Sequence, residues 1–359
     1  MDPAALIPTP DAIPVHWGWF QLLLLLTFFL HILLMNVMLG TIIIAFVRHF
    51  HRPAETSPLT EEISQKLPFS IALAVNFGVA PLLFVQVLYG HFIYASSILM
   101  AALWLSIVGI LIAAYYTAYI YRYQYEKMVD GRIVATGLIS FLLLIIGFLF
   151  SNNFTLMLQP QTWHHYFDHP AAMLLNFSDP TLIPRYLHFV FASLAVGGLA
   201  IALFFKQKQK KGVPEAGEWV RYGCNWFGYA TFANFAIGFW FFGTLPKGLI
   251  NPSSLVGGLF SIFLVIGVIT AVLAVICGLR FRVMPALYLL LGSIFSMILV
   301  REFLRVAYLK PWFSLADLTV ATAYSPLILF LLFFGAGLVL IGWMLKITYQ
   351  TYRNREVQS

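Results

Sequence analysis

The sequence contains very little charge. Of its 359 residues, 10% are Asp, Glu, Lys or Arg, whereas 61% are hydrophobic. A water-soluble domain carries roughly 25% charged residues, so this chain lacks the side chains that a water-facing surface needs. The mean hydropathy of +0.87 agrees with this view. These values exclude a soluble enzyme, a coiled coil and a disordered scaffold, and they indicate a protein whose main solvent is lipid.

Cysteine is also scarce. Cys224 and Cys277 are the two cysteines, and neither belongs to a CxxC or CxxCH pattern. This argues against a disulfide framework, a cysteine-held cluster and covalently attached c-type haem. The net charge of +7 would suggest nucleic acid in a soluble protein. In a membrane protein the same excess reports basic cytoplasmic loops, so we expect lipid, and no nucleic acid, as a partner.

Long apolar runs fill most of the chain. Crossing a hydrocarbon core takes about 20 apolar residues, and lipid requires each crossing to satisfy its own backbone hydrogen bonds. The sequence therefore predicts an all-α fold, a polytopic transmembrane helix bundle that forms a single domain over 1–359. We expect an outer loop at 152–181 and no soluble domain. The nine predicted spans are 18–47, 68–91, 93–121, 133–157, 182–205, 222–243, 255–279, 284–309 and 324–348.

The basic residues predict the orientation of the bundle. With the N-terminus outside and the C-terminus inside, sixteen of the 21 Lys and Arg residues fall on inner segments. Such a bias is the positive-inside pattern of multi-pass proteins. We expect a multi-pass protein of a bacterial-type inner (cytoplasmic) membrane.

A few ionisable residues interrupt the apolar spans. An ionisable group inside a span costs several kcal/mol, about 3 or more, unless it is paired, so each is a candidate functional residue. Most are predicted to lie in the outer half of the membrane, whereas His16, His49 and His51 look like ordinary flanking residues. The candidates are His31, His91, His188, Arg301, Glu302 and Arg305.

Histidines and arginines in a helix bundle suit haem. Imidazole is an axial ligand of haem iron, and the planar guanidinium of Arg pairs well with propionate carboxylates. Arg185 and His188 lie three residues apart, as do Glu302 and Arg305, so each pair shares a helix face. The alternatives stay open: the histidines could be interhelical hydrogen-bond partners, and Glu302 with Arg305 could be an internal ion pair. His164, His165 and His169 show no metal-site spacing.

The order of these features resembles subunit I of the cytochrome bd-type quinol oxidases. Phe28–His31, Val75–Gly78, Tyr186–His188 and Val300–Arg305 are similar to its His, Asn-Phe, His and Glu-x-x-Arg motifs, in the same order on the same spans. The resemblance implies haem b, with more than one haem in the chain, bound by His31 and His188. It also implies Glu302 as a third ligand or catalytic carboxylate, where the haem type could differ.

The chain lacks several features that the family uses for quinol oxidation and oxygen reduction. Residues 255–279 contain neither the family's Met ligand nor a His, which leaves His91 or a loop histidine as the candidate second ligand for the His188 haem. Residues 93–121 lack acids, and the connection after Gly243 is too short for the family's quinol-binding loop.

These departures favour electron transfer within a larger membrane redox complex. We expect electrons to pass between the quinone pool and an outer partner such as a c-type cytochrome, with Arg185, Arg301 and Arg305 near haem propionates. One alternative is an oxygen-reducing quinol oxidase subunit. Another is a haem-free transporter or structural anchor.

Overall fold

The computed structural model describes residues 3–53, 55–168, 170–321 and 324–358 of the chain. Within those ranges the chain forms nine α-helices and no β-strand, which confirms the predicted all-α helix bundle. The helices are α1 Trp17–His51, α2 Pro58–Leu99, α3 Ala101–Tyr123, α4 Gly131–Leu158, α5 Leu182–Lys210, α6 Ala216–Gly243, α7 Leu255–Leu279, α8 Val283–Leu309 and α9 Tyr324–Gln358.

Eight of the helices found among the described residues are long and apolar enough to cross a membrane, and α6 is the exception. The geometry nevertheless gives α6 the same depth as α5. Trp219 of α6 packs on Phe205 of α5, and Gly238 of α6 lies beside His188 of α5. The helices are therefore antiparallel over seventeen residues of α5, about 25 Å at 1.5 Å per residue. The sequence predicts a span at 222–243, but the most apolar window of α6 has a lower mean hydropathy than those of the other eight helices, because α6 carries polar residues such as Asn225 and Asn234.

The boundary between the second and third helices differs from the prediction. The sequence predicts a break near Gly90-His91, but α2 bends there, with non-helical backbone angles at Tyr89, and continues to Leu99. The true break is at Met100. Leu174 donates its backbone N–H to the carbonyl of Leu99, and Ala102 donates to Ala172. The distant 172–174 segment therefore satisfies the two helix ends that meet at this turn.

Helix α5 lies between α1 and α6 with its backbone very close to both. A Cβ atom at Gly40 of α1 would lie 1.9 Å from the carbonyl oxygen of Ser193 in α5. On the other side, a Cβ atom at Gly223 of α6 would lie 2.5 Å from the carbonyl oxygen of Gly198. Small residues at these crossings permit the close backbone approach that drives helix association in lipid. The crossings fix the relative positions of α1, α5 and α6.

The predicted outer loop 152–181 begins later than expected, because 152–158 forms the last turns of α4. A short 3-10 helix, Pro160–Phe167, follows. Buried Asn152 then holds the rest of the connection: its amide donates to the carbonyl of Leu174 at 3.1 Å, and its Oδ1 accepts from the backbone N–H of Asn176 at 2.7 Å. The connection is thus packed on the bundle.

Helix α9 is the most exposed element. None of its most apolar window is buried within the described part of the chain. It approaches α2 where Phe330 meets Phe84 edge to face, with ring centroids 6.4 Å apart. In a membrane this helix presents nearly its whole circumference to lipid or to other proteins.

Candidate functional site

The site residues lie toward one end of the bundle. We call this the outer end, after the orientation that the basic residues predict. It contains the start of α1 and the end of α8, whose flanking segments are joined by a bridge between Ile13 and Val320. The start of α5, the bend in α2 and the connection between α4 and α5 lie there too.

Glu302 and Arg305 form a buried pair on α8, as their spacing allowed. The Arg305 guanidinium donates to Oε2 of Glu302 at 2.7 Å, and the hydroxyl of Tyr89 donates to Oε1 at 3.0 Å. All three residues are at most 7% exposed. Both carboxylate oxygens are therefore engaged by protein donors, so the interpretation as an internal ion pair accounts for the contacts of Glu302. Its role as an iron ligand stays a prediction.

Two further arginines lie near this pair. Arg301 sits over the rings of Phe28 and Phe154, with its guanidinium carbon 4.6 and 4.9 Å from their centroids, and it is close enough to Arg185 and Arg305 to be repelled by both. Arg185 lies over the ring of Phe241. Aromatic faces partly replace the water that these cations lose on burial.

The arginine cluster has more positive than negative charge. Among the described residues around Arg185, Arg301 and Arg305, the nearby carboxylates are Glu302 and Asp179. Nε of Arg185 and Nη2 of Arg305 are buried and have no hydrogen-bond partner. Buried donors of this kind cost free energy unless a ligand or water accepts from them. The cluster therefore suits the carboxylates or phosphates of an anionic ligand.

His31 lies in the seam between α1 and α2. Its Nδ1 is 2.9 Å from the carbonyl oxygen of Ala74. Because a carbonyl only accepts hydrogen bonds, Nδ1 must carry the proton, and in the neutral ring Nε2 then keeps a free lone pair. Metal-ligating histidines are commonly held in this way, with the second ring nitrogen donating to a backbone carbonyl.

His188 lies in a different seam, between α5 and α6. Its ring is near the backbone of Asn234, and a Cβ atom at Gly238 would lie 3.4 Å from its Cε1. Nδ1 of His188 is buried without a hydrogen-bond partner. The structure thus places His31 and His188 against different neighbouring helices, α2 for the first and α6 for the second.

The remaining histidines have other surroundings. His91 packs against Phe92 and Phe313, with ring centroids 4.3 and 4.5 Å away, and its role as second ligand of a His188 haem stays a prediction. His49 is not an ordinary flanking residue, because it is fully buried and its Nε2 is 3.0 Å from the hydroxyl of Tyr121. His164 and His165 lie exposed on the 3-10 helix, and His169 lies outside the described residues.

Within the described ranges, no group of three or more His, Cys, Asp or Glu side chains is arranged to hold a metal ion. Haem places a smaller demand on the protein, since the porphyrin itself supplies the equatorial ligands and the chain supplies the axial ones. The free Nε2 lone pair of His31, the unpartnered Nδ1 of His188 and the two unpartnered guanidinium nitrogens fit the ligands and propionate donors that haem needs.

Tyr89 is the site residue that the sequence did not reveal. It is one of 17 tyrosines in the chain, and 213 residues separate it from Glu302. The nearest signal is its position beside Gly90-His91, where the apolar run weakens. That signal marks the bend in α2 and gives no indication of the partner.

The chain matches no known family model, no curated protein and no solved structure.

Proposed function

We propose that the chain is a haem-b-binding membrane subunit that transfers electrons within a larger redox complex, similar to subunit I of the bd-type quinol oxidases. The observation that carries the proposal is the hydrogen bond from Nδ1 of His31 to the carbonyl of Ala74. A lone histidine that serves only to join two helices needs no free second nitrogen, whereas an axial ligand does.

The arginine cluster supports the same proposal. Arg185 and Arg305 have buried guanidinium nitrogens without partners, and they lie one turn or less from His188 and Glu302 along their helices. Propionate carboxylates would accept from these donors and balance the excess positive charge. Positive charge near the iron also favours the reduced form, so Arg185, Arg301 and Arg305 would raise the reduction potential.

A bound haem would supply the one-electron ferric/ferrous couple. The residues of this chain would then bind it: His31 and His188 would hold iron through their imidazole nitrogens, each in its own seam, and the arginines would donate to the propionates. Glu302, bound by Tyr89 and Arg305, would hold one negative charge at a fixed position within the arginine cluster. We propose that electrons pass between the quinone pool and an outer partner such as a c-type cytochrome, which the exposed 3-10 helix with His164 and His165 could contact.

The test is an optical spectrum of the purified protein. We expect a Soret band that shifts on dithionite reduction, and haem b in the pyridine haemochrome assay. His31→Ala and His188→Ala should each lower the haem content per protein, because each removes an axial ligand. His164→Ala, which changes an exposed imidazole, is the matched control and should leave the haem content unchanged. Purified protein without a redox-sensitive Soret band would refute the proposal.

A haem-free structural anchor is the second candidate, and the Glu302 contacts favour it. Both oxygens of this carboxylate are satisfied within the protein, as in an interhelical brace that needs no ligand. Unsubstituted protein that contains no haem, together with a His31→Ala, His188→Ala double variant that folds normally, would support this candidate over ours.

A further inference from the structure

The His31 ring contacts α2 at two residues that lie one helical turn apart. Ala74 supplies the carbonyl that accepts from Nδ1 at 2.9 Å. Gly78, the next residue on that face, lies under the imidazole itself. A Cβ atom at Gly78 would be 2.8 Å from Cε1 of His31 and 3.0 Å from Nδ1. The three atoms that such a Cβ would meet first all belong to the His31 ring.

These distances separate Gly78 from the glycines that serve helix packing. At Gly40 and Gly223 the nearest atoms are backbone atoms of a neighbouring helix, so the missing side chain admits a whole helix. At Gly78 the missing side chain admits one imidazole ring. Separations below about 3.0 Å are far inside the ordinary carbon–carbon contact of about 3.5–4.0 Å. A methyl group at Gly78 therefore has to displace the ring, whose Nδ1 is bonded to the Ala74 carbonyl.

We propose that Gly78 is a positioning residue for His31: by leaving the face of α2 open, it lets the ring lie against the helix with Nδ1 on the Ala74 carbonyl and Nε2 free to bind iron. The inference rests on the proposed function for the role of Nε2. The contact between the ring and Gly78 can be tested separately from haem binding.

The experiment is a double-mutant cycle on the full-length protein in detergent, with thermal unfolding and haem spectra as readouts. Gly78→Ala should lower the unfolding temperature while His31 is present. In the His31→Ala background the ring is gone, so the same substitution should be neutral or raise the unfolding temperature, because Ala is the better helix former. Such a change between backgrounds measures the direct coupling of the two residues.

The spectra test what the contact does. Gly78→Ala should weaken or shift the signal that His31→Ala removes, and it should change the midpoint potential of that haem. Gly109→Ala is the control, because a Cβ atom there meets nothing within 4 Å, and it should leave spectrum and potential unchanged.

The possible failures are distinguishable. If Gly78→Ala destabilises both backgrounds equally, or leaves the haem signal and potential unaltered, the positioning role is wrong while haem binding stands. If the unsubstituted protein contains no haem, the proposed function fails, and with it the assigned role of Nε2.

Discussion

At the scale of single residues, the stability of the outer end depends on a small number of contacts to its buried charges. Arg305 is buried beside one carboxylate, and that carboxylate is oriented by one phenol from another helix. Breaking a buried pair is costly because the remaining partner keeps an uncompensated charge. Tyr89 lies at the bend of α2 and its phenol hydroxyl donates to Glu302, so the backbone irregularity and the buried charge occur at the same place.

Tyr89→Phe should destabilise the protein by about 1–2 kcal/mol. Hydrogen bonds between membrane helices average about 0.6 kcal/mol, whereas bonds to charged groups reach about 1.5–3 kcal/mol. The bond from Tyr89 to Glu302 joins two helices and ends on a charged group, so we expect an intermediate value. Chemical unfolding in detergent measures the change. Tyr94→Phe, on the same helix but 52% exposed, should stay within error of the unsubstituted protein. Equal effects of the two substitutions would contradict the role of the Tyr89 hydroxyl.

The sequence revealed site residues whose type is rare in a membrane span, and it missed those whose type is common there. His31 and Glu302 could be found because a titratable group inside an apolar run is unusual. Tyr89 could not, because an aromatic residue in a membrane span is ordinary and its partner is far along the chain. His49 was misjudged because its sequence position at a helix end gives no information about Tyr121, which buries it.

At the scale of elements, α5 is the helix around which the seams are arranged. It meets α1 at Gly40 and Gly197, and it meets α6 at Gly198 and Gly223, with backbone against backbone at both crossings. Interiors packed this closely do not deform continuously, so a displacement at either crossing is transmitted to the whole helix. The seams that hold His31 and His188 therefore depend on residues that touch neither imidazole.

Gly40→Ala should destabilise the fold by about 3 kcal/mol, at the upper end of ordinary overpacking costs. The nearest atom is a backbone carbonyl oxygen at 1.9 Å, which cannot rotate away as a side chain can. Gly292→Ala is the matched control, because its Cβ would meet nothing within 4 Å. It should stabilise α8 slightly, by about 0.5–1 kcal/mol. Thermal unfolding of the two variants should give opposite signs, and a shared sign would contradict the packing described.

Asn152→Leu should release the connection between α4 and α5. Loss of the amide leaves the backbone N–H of Asn176 and the carbonyl of Leu174 without their partners. Hydrogen exchange at residues 172–176 should become faster by about tenfold or more, since a lost hydrogen bond of about 1.4 kcal/mol corresponds to that factor. Asn76→Leu, whose amide bonds only within its own exposed helical turn, should leave exchange in this connection unaltered.

Hydropathy predicted helices well and their junctions poorly. The apolar runs located every helix, including the exact start and end of α7. The turn at Met100 was missed because Met is as apolar as its neighbours, and the hydrogen bonds that stabilise the turn come from Ala172 and Leu174. A junction made by residues more than seventy positions away leaves no local pattern to read.

At the scale of the whole molecule, the orientation in the membrane is the property with the clearest test. The basic residues predict that the 3-10 helix is outside and that the α5–α6 connection is inside. Gln161→Cys should react with a membrane-impermeant maleimide in intact cells, whereas Lys210→Cys should react only after lysis. Both positions are exposed. Of the two native cysteines, Cys224 is buried and Cys277 is partly exposed, so both variants are made in a Cys277→Ser background. The reverse labelling pattern would overturn the predicted orientation.

The close contact between Gly40 and Gly197 has a consequence for the time course of synthesis. These residues are 157 positions apart, so at about 5–20 residues per second α1 waits on the order of 10–30 s for its partner to emerge. The seam with α2 forms much earlier, because α2 follows α1 directly. His31 can therefore be seated on Ala74 and Gly78 while the ribosome is still far from His188, and the two seams are completed in a fixed order.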